Sequence, residues 1–181
     1  MSKFEDALSF VLEDEGVLSE NPNDSGGITK YGISINFLKK ITPENLKKYG
    51  IMQEVNEEVV RNLTMEQAVL IYHGEFWDKA PFEEIKSPQV GNYIFSMAVW
   101  HGLGNAIKIV QRAVWAALFE INVIEEDGIF GGKTLRYVNL VDFNFLYPLV
   151  AEHAAYVRNI LEKNSKDGVF KNGWLSRCYR I

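Results

Sequence analysis

EDEGVLSENPNDSGGITKYGIS, residues 13–34, is the stretch on which the fold turns. Phe4, Leu8, Val11 and Leu12 precede it at helical spacing and predict a short amphipathic helix ending near Glu15 and Gly16, because glycine favours a helix C-terminus. The Asn, Asp, Ser, Gly and Pro residues that follow read as a turn-rich loop. Ile28, Tyr31, Ile33 and Ile35 then lean toward β structure, which predicts a small hairpin beside the first helix.

Outward from this stretch the signals are helical. Thr42-Pro43 reads as an N-cap followed by proline at the first helical position, with Gly50 closing that helix. Thr64 to Gln67 reads as a capping box opening a helix through Ala68, Tyr72 and Phe76. Ser87-Pro88 starts another, running to Trp100 or His101, and Gly102-Leu103-Gly104 breaks it. Ile107, Val110, Val114 and Leu118 mark a further helical face, Asp127-Gly128 a turn, and 143–163 a last long helix with Pro148 in its first turns, where a missing N–H costs little. The expected fold class is mainly α, a helical body with one small β-hairpin. A coarse division falls at residue 90, separating residues 1–90 from residues 91–181, the two packed as one body.

At 181 residues the chain has the size to bury roughly 70% of its unfolded surface, and 47% hydrophobic with 24% charged residues is ordinary globular composition. The net charge of −5 supplies no basic field for nucleic acid or an anionic membrane. No apolar run reaches the roughly 18 residues of a membrane span. The acidic residues among the apolar positions of MSKFEDALSFVLEDEG interrupt any secretory h-region, so the expected location is cytoplasmic until release by another route.

Chemistry is carried by carboxylates. Glycosidic bonds are cut by one carboxyl group kept protonated and one ionised. A glutamate at a helix end beside an apolar cleft is raised in pKa by desolvation, whereas an aspartate in a solvated glycine-rich loop stays ionised. Glu15 and Asp24 fit those two roles, and the Thr29 hydroxyl could hold a water against Asp24. The residues alone equally allow a surface glutamate and a turn-forming aspartate.

Other chemistries fail on spacing. A calcium loop begun at Asn21 has Gly26 at its sixth position but Gly32 where a bidentate glutamate is needed. GIFGGKT, 128–134, ends like a phosphate loop, yet Asp127 stands where the first glycine is required. His73, His101 and His153 are scattered, so no zinc or other metal site is expected; His153 reads as a partly buried residue of the last helix. Cys178 has no partner for a disulfide or a nucleophilic site and reads as a buried or half-exposed thiol.

Glu15-Gly16 followed by Pro22-Asn23-Asp24-Ser25-Gly26-Gly27-Ile28-Thr29-Lys30-Tyr31-Gly32 resembles the signature of glycoside hydrolase family 108, lysozyme-like N-acetylmuramidases of bacteria and phages, some labelled secretion activators. Ala98 to Gly102, Gln111-Arg112-Ala113, Asp127 to Gly131 with Thr134, and Gly173 to Arg177 resemble the peptidoglycan domain that accompanies it. The resemblance implies a lysozyme-like fold in which the glutamate ends a helix beside the β element. It implies cleavage of the β-1,4 bond between N-acetylmuramic acid and N-acetylglucosamine at the cell wall, with Glu15, Asp24 and Thr29 catalytic and no cofactor. A lysin of a phage or prophage, or an autolysin-like protein, would suit it. Tyr31, Trp100 and His101 are the candidate sugar contacts, and peptidoglycan glycan strands the expected partner. The family's second glycine and following aromatic are Val17 and Leu18 here, and Trp100 replaces a common asparagine. These departures feed an alternative, a wall-binding or secretion-accessory protein without turnover.

Overall fold

The computed structural model describes residues 3–13, 18–19, 27–163 and 171–181. The chain divides into two compact units, Met1–Lys79 and Ala80–Ile181. The architecture is mainly α with one small antiparallel sheet, as the sequence predicts.

In the first unit, helix α1 (Lys3–Leu12) buries Phe4, Ala7, Leu8 and Val11, the apolar face that its spacing predicts. Glu13 follows in a turn, its N–H donating to the Ser9 carbonyl at 3.1 Å. Strands β1 (Leu18–Ser19), β2 (Thr29–Lys30) and β3 (Ile33–Ser34) pair antiparallel in the order β1-β2-β3. The register sets Leu18 opposite Lys30 and Thr29 opposite Ser34. The sheet thus has one strand more than the expected hairpin, because β1 is only two residues long and pairs with residues ten to twelve positions on, beyond the reach of a short hairpin turn. Between β2 and β3 the two-residue turn is Tyr31-Gly32, with φ of 51° and 77°. Positive φ at both central positions matches the right-handed twist of the flanking strands.

Ser34 ends β3 and caps α2 (Ile35–Leu38), its Oγ accepting from the Phe37 N–H at 3.1 Å. Helix α3 (Pro43–Lys48) carries the expected Thr42 cap and ends before Gly50, whose φ of 76° is the left-handed conformation that glycine adopts without strain. A further short helix, α4 (Glu57–Arg61), is capped by Asn56, and α5 (Met65–Glu75) opens on the Thr64/Gln67 capping box. Phe4 packs edge-on against His73 and Trp77, at 4.7 and 5.4 Å between ring centres, and so fixes α1 to the C-terminal end of α5.

In the second unit, α6 (Pro88–His101) is capped by Ser87, and Gly102, at φ 81° and ψ 148°, separates it from α7 (Leu103–Leu118). Two helices appear that the sequence reading did not mark, α8 (Gly132–Val141) and the terminal α10 (Lys171–Cys178). The expected long helix over 143–163 begins later, as α9 (Leu146–Lys163), because Asp142–Phe145 is a 3-10 turn. Pro148 therefore lies in the first turn of α9, where no hydrogen bond is lost. Helices α6, α7 and α9 pack around a core that includes Ile94, Phe95, Ile107, Val110, Leu149 and Val157.

Candidate active site

Of the six residues that the sequence singles out, Glu15 and Asp24 lie outside the described residues. Thr29 and Tyr31 share the β2–β3 hairpin in the first unit; Trp100 and His101 end α6 in the second.

Thr29 is half-buried, and its hydroxyl donates to the Gly27 carbonyl at 3.2 Å. That bond fixes the hydroxyl proton and leaves the oxygen lone pairs available as acceptors. Gly27 adopts φ 73°, and a Cβ there would lie 2.8 Å from the Ile35 side chain, so the loop enters β2 through a position only glycine fits. The hairpin is moored at two points. The Lys30 ammonium donates to the Arg61 carbonyl at the end of α4, at 2.7 Å, and the Tyr72 hydroxyl of α5 donates to the Tyr31 carbonyl at 2.8 Å. A non-glycine residue at φ 51° carries backbone strain, and the Tyr72 bond offsets it at that peptide.

Trp100 and His101 belong to an aromatic cluster spanning α6, α9 and α10. The Trp100 ring stacks on His101 at 4.3 Å, meets Trp174 edge-on at 6.1 Å, and lies 4.8 Å from the Arg177 guanidinium. Beneath it runs a chain of hydrogen bonds: His101 Nε2 to His153 Nε2 at 2.8 Å, His153 Nδ1 to the Tyr93 hydroxyl at 2.8 Å, and that hydroxyl to the Cys178 carbonyl. The terminal carbonyl can only accept, and burial keeps both imidazoles neutral, which together order the protons along the chain. Tyr93 gives its proton to Cys178, accepts from His153 Nδ1–H, and His153 Nε2 accepts from His101 Nε2–H. Burial is the main cause of their low proton affinity; His153 and then Arg177 add to it at His101, holding that imidazole at about 3, and Arg177 adds to it at His153, holding it at about 4. Burial likewise pushes the Cys178 thiol up to about 11, so this sulfur is an inert packing group, as its isolation in sequence suggests.

Tyr93, His153, Trp174 and Arg177 are absent from the sequence-derived site. Tyr93 and His101 are eight apart on α6, two turns along one face, a spacing that could have flagged the pair; the α9 and α10 partners are long-range. A further carboxylate that sequence reasoning passed over is Glu75. It accepts from the Tyr49 hydroxyl at 2.8 Å and from Asn45 Nδ2 at 2.9 Å. The approach of Tyr49 needs Gly74, since a Cβ there would collide with the Tyr49 hydroxyl. Glu75 thus anchors α3 to α5.

Gln111 and Asp127-Gly128, quoted above for their resemblance, form a structural knot. Buried Gln111 donates to Asp127 at 2.7 Å and to the Ile129 carbonyl at 3.2 Å, and accepts from the Gly128 N–H at 2.9 Å. The Ile129 N–H first, and Gln111 second, hold the Asp127 carboxyl below the usual carboxylate range. Gly128 has φ 76°, and a Cβ there would lie 2.9 Å from the Gly104 carbonyl oxygen. Among the described residues no cluster of His, Cys, Asp and Glu could hold a metal ion, and no helix is long and apolar enough to cross a membrane.

Comparison with known proteins defines the class first: the chain carries a glycosyl hydrolase domain. The family model described as Glycosyl hydrolase 108 matches residues 8–102, just over half of the chain, and the chain belongs to that family. Among solved structures it is similar to SagA of Brucella abortus, with 26% identity and a TM-score of 0.74, over 97% of this chain and 88% of that one. Among curated proteins nothing matches.

Proposed function

We propose that the chain is a peptidoglycan hydrolase, an N-acetylmuramidase that cleaves the β-1,4 bond between N-acetylmuramic acid and N-acetylglucosamine at the bacterial cell wall. The observation that carries this reading is membership of Glycosyl hydrolase 108, whose matched span contains Glu15, Asp24 and Thr29. In this reading Glu15 donates a proton to the leaving glycosidic oxygen. Asp24 stays ionised and either activates water or stabilises the oxocarbenium-like transition state. Thr29, with its proton engaged by Gly27, offers an oxygen that accepts from the water and orients it toward Asp24. Tyr31, Trp100 and His101 are the sugar contacts of the proposal. Catalysis belongs to residues 1–90, and wall attachment to residues 91–181.

The test compares the parent with Glu15→Gln on purified peptidoglycan, reading release of reducing ends. Loss of a general acid lowers the rate by about 10²-fold or more. No release by the parent, or equal release by Glu15→Gln, overturns the reading. Val17 and Leu18 favour a second one, a wall-binding protein without turnover, for which the parent sediments with peptidoglycan and releases nothing.

A further inference from the structure

A groove of about 470 Å³ opens in the first unit among residues 38–55, within the size range of small-ligand sites. Its floor is apolar, formed by Leu38, Ile41, Leu46 and Ile51, whose side chains are otherwise buried. Met52 also lines it and is 69% exposed. A flexible thioether left in water at a concave apolar site is a group that gains from a ligand closing over it.

The groove's charge is unlike that of the whole chain. Lys39 and Lys47 line it, both exposed, and among the described residues neither ammonium takes part in an ion pair, although the chain carries a net −5. Glu54 lines it as well. Two cations and one anion around an apolar floor match a ligand with alkyl groups and more carboxylates than amines; a polyanion would be repelled by Glu54. The concavity disfavours a flat bilayer, which takes up projecting apolar side chains.

We propose that this groove binds a short anionic peptide bearing alkyl side chains. On the wall-hydrolase reading above, from which the identity of the ligand follows, that peptide is the stem attached to muramic acid. Lys39 and Lys47 meet its carboxylates, Glu54 meets the amine of its diamino residue, and the apolar floor takes its alanine methyls. Stem recognition in this groove would hold a cross-linked strand on the enzyme while the glycan is cut.

The probe is soluble N-acetyl-L-Ala-γ-D-Glu-meso-diaminopimelate, titrated into the full chain while the methyl signals of Ile41, Ile51, Met52 and Val55 are followed by NMR. Saturable shifts are expected. The double reversal Lys39→Glu/Lys47→Glu, on exposed side chains, should weaken binding by about tenfold or more while thermal unfolding stays unchanged, and about 0.5 M salt should weaken it as well. No saturable shift, equal affinity in the double variant, or binding to phosphatidylglycerol vesicles without tripeptide shifts overturns the proposal. Reducing-end release is measured in parallel. Hydrolysis without tripeptide binding removes only the groove proposal, and tripeptide binding without hydrolysis removes only the muramidase reading.

Discussion

Acidification from about pH 7.5 to about pH 5 should weaken the second unit, through His101 and His153. Both imidazoles are neutral in the fold, with proton affinities depressed from 6.5 to about 3 and about 4, burial being the first cause of each. Once unfolded they take up protons near pH 6.5, so the unfolded chain binds more protons throughout this window and stability falls as pH falls. Each depressed imidazole then contributes about 2 kcal/mol of loss across the window, and the pair at most about 4 kcal/mol, a large share of an ordinary domain's stability. The geometry explains why the fold does not simply accept a proton. A charged His153 would force His101 to carry its own proton on Nδ1 so that its Nε2 could accept, and Arg177 already places a cation on the cluster. Asp127 loses its own contribution only below the usual carboxylate range, outside this window. The assay is urea unfolding at several pH values, followed by tryptophan fluorescence, to which Trp100, Trp115 and Trp174 of the second unit contribute, for the parent and for His101→Gln/His153→Gln. The parent should lose stability steeply and the double variant should be nearly flat. An equal slope in both, or imidazole NMR signals assigned to His101 and His153 that titrate near the ordinary histidine value in the folded parent, would refute the reasoning.

The remaining predictions concern the framework of the candidate site. Tyr72→Phe removes the bond to the Tyr31 carbonyl and should cost about 1 kcal/mol in urea unfolding, with faster amide exchange across β2 and β3. An unchanged hairpin exchange pattern would count against that mooring. Gly128→Ala forces a side chain into a left-handed position against the Gly104 carbonyl and should cost about 1–3 kcal/mol, read from the same unfolding curves. A neutral result there would mean that the turn relaxes without strain.

What was legible in the sequence was what is decided locally. Thr42, Thr64 and Ser87 announce helix starts because each cap bonds a backbone N–H three residues on, and all three occur. The β2–β3 hairpin was legible for a related reason, since a two-residue turn brings its strands together at once. Elements without local punctuation were missed, and so were two helices too short to show a periodic face, α2 behind its Ser34 cap and α4 behind its Asn56 cap. Helix α8 begins at Gly131 with no side-chain cap. Strand β1 depends on a partner across the loop, which no local window of sequence contains.

The same division applies to the functional residues. Glu15, Asp24 and Thr29 are close in sequence and could be proposed together from spacing and motif. The surroundings of Trp100 are assembled from three helices, and the structure gives its departure from the family pattern a physical setting. An asparagine at that position would remove the stacking on His101 and the aromatic face beside the Arg177 guanidinium; tryptophan supplies both and packs on Trp174. Since Tyr93 and His153 tie the Cys178 carbonyl to the same cluster, Trp100 is part of what holds the C-terminal helix against α6 and α9. The substitution and the C-terminal helix therefore form one packing unit, and a change at residue 100 acts on the stability of α10 as well as on any sugar contact.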